Sequence, residues 1–217
     1  MKVLVFGASG MIGQGVMREL VRDAGVTSIV AVGRSPSGYR DAKVRDLIVK
    51  DLGDLAAVER DLTGFDACFF SLGVTAMGLT EAQYATITYD LTLSVARVLE
   101  RLNPDIAFLY VSGQGTDSTE KGNVMWARVK GRTENALLAL SIRAYMLRPG
   151  MIVPKDGIKS RTGWYNFFYT IATPFNPLLE KLTGSVTTTR KLGQAMIHIA
   201  RTRPVKRVWE TGDINRL

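Results

Sequence analysis

Three glycines introduce the first residues that could do chemistry. Gly7-Ala-Ser9-Gly10-Met11-Ile12-Gly13 follows the apolar run Lys2–Phe6 and precedes a helical pattern. A helix starting at such a turn presents unpaired N–H groups and a partial positive charge, which together suit an anion. Gly7 fits the tight turn, Gly10 lets backbone approach a phosphate, and Gly13 lets helix and strand pack closely. The spacing therefore predicts a seat for a dinucleotide pyrophosphate, although it also fits a strand–helix turn that binds nothing. Further on, Arg34-Ser35 follows Val32-Gly33 with no acid before Asp41. A carboxylate there would bond a ribose 2′-OH, whereas an arginine fork beside a serine hydroxyl suits a 2′-phosphate. NADP(H) is accordingly expected over NAD(H). Asp51-Leu52 offers a carboxylate to an adenine amino group or, nearly as well, a helix cap. Ser71-Leu72-Gly73 ends another apolar run, and its glycine would let backbone pass close to a nicotinamide ribose.

These residues need a scaffold that gathers them. Apolar runs near 2–6, 27–32, 45–49, 65–70, 105–111, 143–147 and 206–209 are expected as strands. Helices are expected over 11–23, 53–60, 80–101, 123–141 and 188–201. Leu91, Val95, Val98 and Leu99 form an i, i+4, i+7, i+8 stripe, and Asn103-Pro104 closes that helix. The alternation predicts one α/β domain over 1–217, a doubly wound parallel sheet of six to seven strands with helices on both faces. Residues 151–185 break the pattern with Trp164-Tyr165-Asn-Phe-Phe-Tyr169, Pro174 and Pro177. The stretch is too short and too interrupted for a transmembrane helix. It reads as a small substrate-pocket or lid insertion, a homodimer surface, a patch over 164–182 in peripheral membrane contact, or a helix packed on the sheet edge.

Composition narrows the class. An apolar share of 46% and a charged share of 22% over 217 residues suit a soluble globular domain. The single Cys68, inside Ala67-Cys-Phe-Phe70, predicts a buried inert thiol and no disulfide framework. Without an apolar leader the expected compartment is cytoplasmic and reducing. The net charge of +8 is spread along the chain rather than run together or interleaved with aromatics. Specific nucleic-acid binding is therefore not expected, and part of the excess would serve an anionic cofactor. His198, the one histidine, lacks acidic or histidine neighbours, and no cluster has metal-ligand spacing.

Taken in order, the glycine turn, Arg34, Asp51, Ser71-Leu72-Gly73, Tyr110-Val-Ser112 and Arg148-Pro149-Gly150 resemble the short-chain dehydrogenase/reductase superfamily. The small size and the Gly-Ala-Ser-Gly-Met-Ile-Gly opening resemble its atypical, sugar-epimerase-like NAD(P)-binding branch. The resemblance implies a Rossmann fold with the cofactor across the C-terminal strand edge. It implies that Ser112 orients a substrate carbonyl, that Lys130 holds the nicotinamide ribose, and that Pro149, Gly150 and Met151 fold around the carboxamide. In that superfamily a tyrosine four residues before the lysine transfers the proton; here Trp126 stands in its place. An indole donates a hydrogen bond but has no proton that titrates near neutral pH. Tyr84, Tyr89, Tyr165 and Tyr169 are other candidates for that proton. Two expectations follow: an oxidoreductase or epimerase-like enzyme acting on a carbonyl or hydroxyl substrate, or a catalytically silent NADPH-binding sensor or assembly partner.

Overall fold

The computed structural model describes residues 1–158 and 185–217. Among these, nine strands follow in chain order: β1 (Lys2–Phe6), β2 (Ser28–Gly33), β3 (Val44–Ile48), β4 (Ala67–Phe70), β5 (Ala107–Val111), β6 (Arg143–Arg148), β7 (Met151–Val153), β8 (Val186–Thr188) and β9 (Val208–Glu210). Seven of them form one sheet in the order β3-β2-β1-β4-β5-β6-β9, every neighbouring pair parallel. Parallel pairing needs crossovers, and helices lie in most of them. They are α1 (Met11–Arg22), α2 (Glu81–Ala85), α3 (Leu91–Leu102), α4 (Met125–Leu138) and α5 (Thr189–Thr202); a short α6 (Thr211–Ile214) follows β9. The expected Rossmann-like α/β fold is the one observed.

Alternation along each strand sends side chains to opposite faces. Val3, Val5, Phe69 and Leu109 pack with Val16 and Leu20 of α1 and Leu192 and Met196 of α5. Leu4, Phe6, Phe70 and Phe108 pack with Val95 and Leu99 of α3 and Leu137 of α4. Both faces are covered, so β4 and β5 are buried at every position and β1 from Val3 onward. On the second face Phe6, Phe70 and Phe108 stack with ring centroids 5.6 and 5.5 Å apart. The stripe on α3 follows this face, with Val95 and Leu99 fully buried and Leu91 and Val98 at its margin. Cys68 is buried in the same cluster as a free thiol, its pKa pushed up by burial.

Three local features differ from the sequence expectation. The helix expected over 80–101 is α2, a wider turn over Thr86–Asp90, and α3. The helix expected over 53–60 is a 3₁₀ segment, Ala56–Leu62. There Asp51 accepts from the Gly53 N–H at 2.8 Å and Asp54 from the Ala56 N–H at 3.1 Å, local bonds that compete with a helical start. β7 and β8 form a separate two-stranded parallel sheet. The aromatic segment and its lid, dimer and membrane readings lie outside the described residues. Among the described residues no helix is long and apolar enough to cross a membrane.

Candidate functional site

The sheet order reverses between β1 and β4, and ligands of open α/β sheets bind beyond the strand ends at such a point. The turn after β1 is built around Gly7, whose φ is +88°. A Cβ there would lie 2.8 Å from the Ser71 carbonyl carbon, so both the conformation and the space demand glycine. The Gly10 N–H donates to the Gly7 carbonyl at 3.0 Å. Helix α1 starts at Gly10 with no side-chain cap and no acid in its first turn. Its first N–H groups are thus offered to an anion. A Cβ on Gly13 would sit 2.0 Å from the Gly7 oxygen, whereas one on Gly10 would meet only that oxygen, at 3.3 Å. Gly13 closes the helix onto the strand and Gly10 borders open space. This cradle fits a diphosphate.

Three cavities run on from the cradle along the sheet edge. The largest, about 840 Å³, extends from Gly10, Met11 and Ile12 past Ser71 to Ser112 and Lys130, with Pro149 and Gly150 on its far wall. A second, about 650 Å³, lies at the ends of β2 and β3 between Arg34, Asp51 and Leu52. A third, about 90 Å³, joins Gly7 and Ser9 to Arg34 and Ser35. Leu72 lines all three and Gly73 the first two, so they form one groove. Arg34 is exposed and forms no ion pair with a described residue. Asp51 caps no helix; it borders the second cavity with one oxygen on Gly53.

Two residues fall outside the groove, and two roles change. Gly13 lies beneath the turn, and Met151 is exposed on β7. The Met151 N–H donates to the Ser185 carbonyl at 2.9 Å, and the Gly150 N–H to Thr211 Oγ1 at 2.8 Å. Neither amide is left to fold around a carboxamide, because the β7–β8 pairing and α6 have taken them. Ser112, expected to orient a carbonyl, donates its hydroxyl to Glu134 Oε1 at 2.5 Å. Glu134 is 1% exposed and is gripped by Arg148, whose Nη2 lies 2.5 Å from Oε2 and whose Nε is 3.1 Å from each oxygen. The serine proton is therefore directed into the core rather than into the cavity.

At the inner end of the cavity, α4 places Trp126 and Lys130 on one face, four residues apart. Lys130 Nζ donates to the Ser112 carbonyl oxygen. Burial lowers its pKa to about 8, the negative charge of Glu134 one turn later opposing the shift. Tyr84 of α2 also lines the cavity, but burial pushes its phenol up, with the Thr88 hydroxyl opposing. Tyr89 lies under the Arg132 guanidinium, 4.0 Å from its ring centroid. Tyr165 and Tyr169 lie outside the described residues. His198 is exposed on α5, and no acidic, cysteine or histidine cluster able to hold a metal occurs among the described residues. Sequence reasoning missed Glu134; its place four residues after Lys130 was the available signal. The sequence offers Tyr84 as a candidate but does not place it in the site.

A family model described as the NAD dependent epimerase/dehydratase family matches residues 3–122. Curated relatives include Protein FMP52, mitochondrial, of Debaryomyces hansenii, 24% identical over 213 residues, covering 92% of this chain and 88% of the relative. The protein of the same name from Eremothecium gossypii is 28% identical over 156 residues, covering 70% of this chain and 67% of the relative. Among solved structures, MoeE5 in complex with UDP-glucose and NAD aligns at a TM-score of 0.69 and 16% identity, covering 97% of this chain and 75% of that one. The PhqB reductase domain from Penicillium fellutanum aligns at 0.70 and 16%, covering 98% and 67%. The structural likenesses are likenesses of fold. The relatives' names overturn the expected cytoplasmic location, since all point to mitochondria. An apolar leader marks only the secretory route, while mitochondrial signals are amphipathic and basic, so that expectation did not bear on this point.

Proposed function

Since the chain belongs to the NAD dependent epimerase/dehydratase family, we propose that it binds NADP(H) in this groove and works as an oxidoreductase or epimerase-like enzyme on a carbonyl or hydroxyl substrate. The observation that carries the reading is the continuity of the groove, through Leu72, from the uncapped start of α1 to Lys130. The amides at Met11 and Ile12 would hold the diphosphate, with Ser9 and Gly10 beside them. Arg34 and Ser35 would take the 2′-phosphate, and Asp51 and Leu52 would border the adenine. Ser71, Leu72 and Gly73 would flank the nicotinamide ribose, whose hydroxyls Lys130 reaches; Pro149 and Gly150 would wall the nicotinamide. When bound, the cofactor supplies hydride exchange at carbon.

Titration of the full chain with NADPH and with NADH tests this reading. Arg34→Ala should weaken NADPH by tenfold or more, about 1.4 kcal/mol, and leave NADH nearly unchanged. Equal losses would remove the 2′-phosphate assignment, and no binding of either nucleotide by the unaltered chain would remove the reading as a whole. Trp126 favours a second reading, an NADPH-loaded sensor or assembly partner without turnover. Tight NADPH binding with no oxidation across a panel of carbonyl compounds and nucleotide sugars would support it.

A further inference from the structure

We propose that Lys130 is itself the proton donor and acceptor of this site, taking the part that a tyrosine at position 126 would otherwise play. The inference rests on the nucleotide reading above and concerns one atom, Lys130 Nζ. It follows from the inventory of protons in the 840 Å³ cavity. Among its described lining residues, only Tyr84 and Lys130 carry a group that titrates. Tyr84 is 2% exposed, and its phenol interacts with that of Tyr110 in the core and with Thr88. Both phenols are pushed up by burial, so neither exchanges a proton near neutral pH. Trp126 holds its indole proton at all working pH values. The Ser112 hydroxyl is committed to Glu134. Lys130 remains, its amine held at the cavity floor by the Ser112 carbonyl.

The surroundings of Lys130 suit the task. From its own helix Glu134 faces it, from β6 Arg148 neutralises Glu134, and just after β5 it meets the Ser112 carbonyl oxygen. Arg148 engages both Glu134 oxygens, and the carboxylate opposes the effect of burial on Lys130 without outweighing it. Burial then dominates and brings the amine to about 8, where a group both gives and regains protons at physiological pH. In the reducing direction the Nζ–H bond breaks as the substrate oxygen gains its proton, and the neutral amine recovers one from water. The oxidising direction reverses these transfers, the neutral amine taking the hydroxyl proton.

The titration of Lys130 in the full chain provides the test. With lysine labelled at Cε and Nζ, the NMR signal lost in Lys130→Arg identifies the residue. A midpoint near 8, more than two units below an ordinary lysine, is the expected result. A midpoint of 10 or above overturns the proposal while leaving nucleotide binding intact. NADPH titration is run on the same samples. At saturating NADPH, Lys130→Arg, which keeps a cation but gives up no proton below pH 12, should oxidise the cofactor on the carbonyl panel at least a hundredfold more slowly than the unaltered chain. A rate within threefold of the unaltered chain, or no turnover by the unaltered chain while it binds NADPH, would also overturn the proposal. If neither nucleotide binds the unaltered chain, it is the underlying reading that fails.

Discussion

At the scale of single residues, the group that orders this site is a carboxylate outside the groove. Glu134 is fully buried, accepts a hydrogen bond from the Ser112 hydroxyl and is held by Arg148, whose side chain is 14% exposed. A buried carboxylate stripped of its partner is costly, so Arg148→Met should lower stability by about 3–5 kcal/mol, read by urea unfolding. The double change Arg148→Met with Glu134→Leu should recover most of that loss, because two apolar side chains need no desolvation. A double variant no more stable than the single one would show that the pair does more than neutralise a buried charge. Ser112 illustrates the limit of reading roles from position. Its place at the end of β5 was legible from the sequence, but the direction of its hydroxyl depends on a residue on α4 and another on β6.

At the scale of elements, the turn from β1 into α1 separates two uses of glycine. A methyl at Gly13 would strike the Gly7 carbonyl at 2.0 Å, a backbone atom that cannot yield without moving the strand. A methyl at Gly10 would meet only that oxygen at 3.3 Å and otherwise stand in the groove. Gly13→Ala should therefore lower the melting temperature as well as abolish NADPH binding. Gly10→Ala should melt within a few degrees of the unaltered chain yet bind NADPH at least tenfold more weakly, which calorimetry and thermal unfolding can separate. Similar melting losses for both would contradict the separation. The same element scale explains the errors at 53–60 and 80–101. A hydrophobic stripe reports that a segment curls against the core, but not whether Asp51 and Asp54 divert its start or a wider turn interrupts it.

For the whole molecule, burial of Lys130 couples site and fold. Its folded pKa, about 8, lies below the 10.5 of an ordinary lysine. Below pH 8 both folded and unfolded chains carry this proton, and the fold bears the full cost of the buried charge. Between these values the unfolded chain binds a proton that the folded one lacks, so stability rises with pH. Tyr84 and Tyr110, raised in the fold, pull the other way once unfolded phenols ionise near pH 10. From pH 8 to about 9.5, then, the urea midpoint of the unaltered chain should rise relative to that of Lys130→Met, and parallel curves would argue against a depressed lysine. The sequence by itself determined the sheet, its helices and the glycine cradle, because strand alternation, apolar runs and the needs of a tight turn are local and repeat along the chain. It also placed Arg34, Ser112, Trp126 and Lys130 at strand ends and on one helix face. Only the tertiary structure decided which protons face the groove. That choice depends on Glu134, Arg148 and Tyr110 meeting in the core from α4, β6 and β5, and on Ser185 and α6 taking the amides of Met151 and Gly150. Hydrogen bonds between segments distant in sequence leave no periodic trace in the chain.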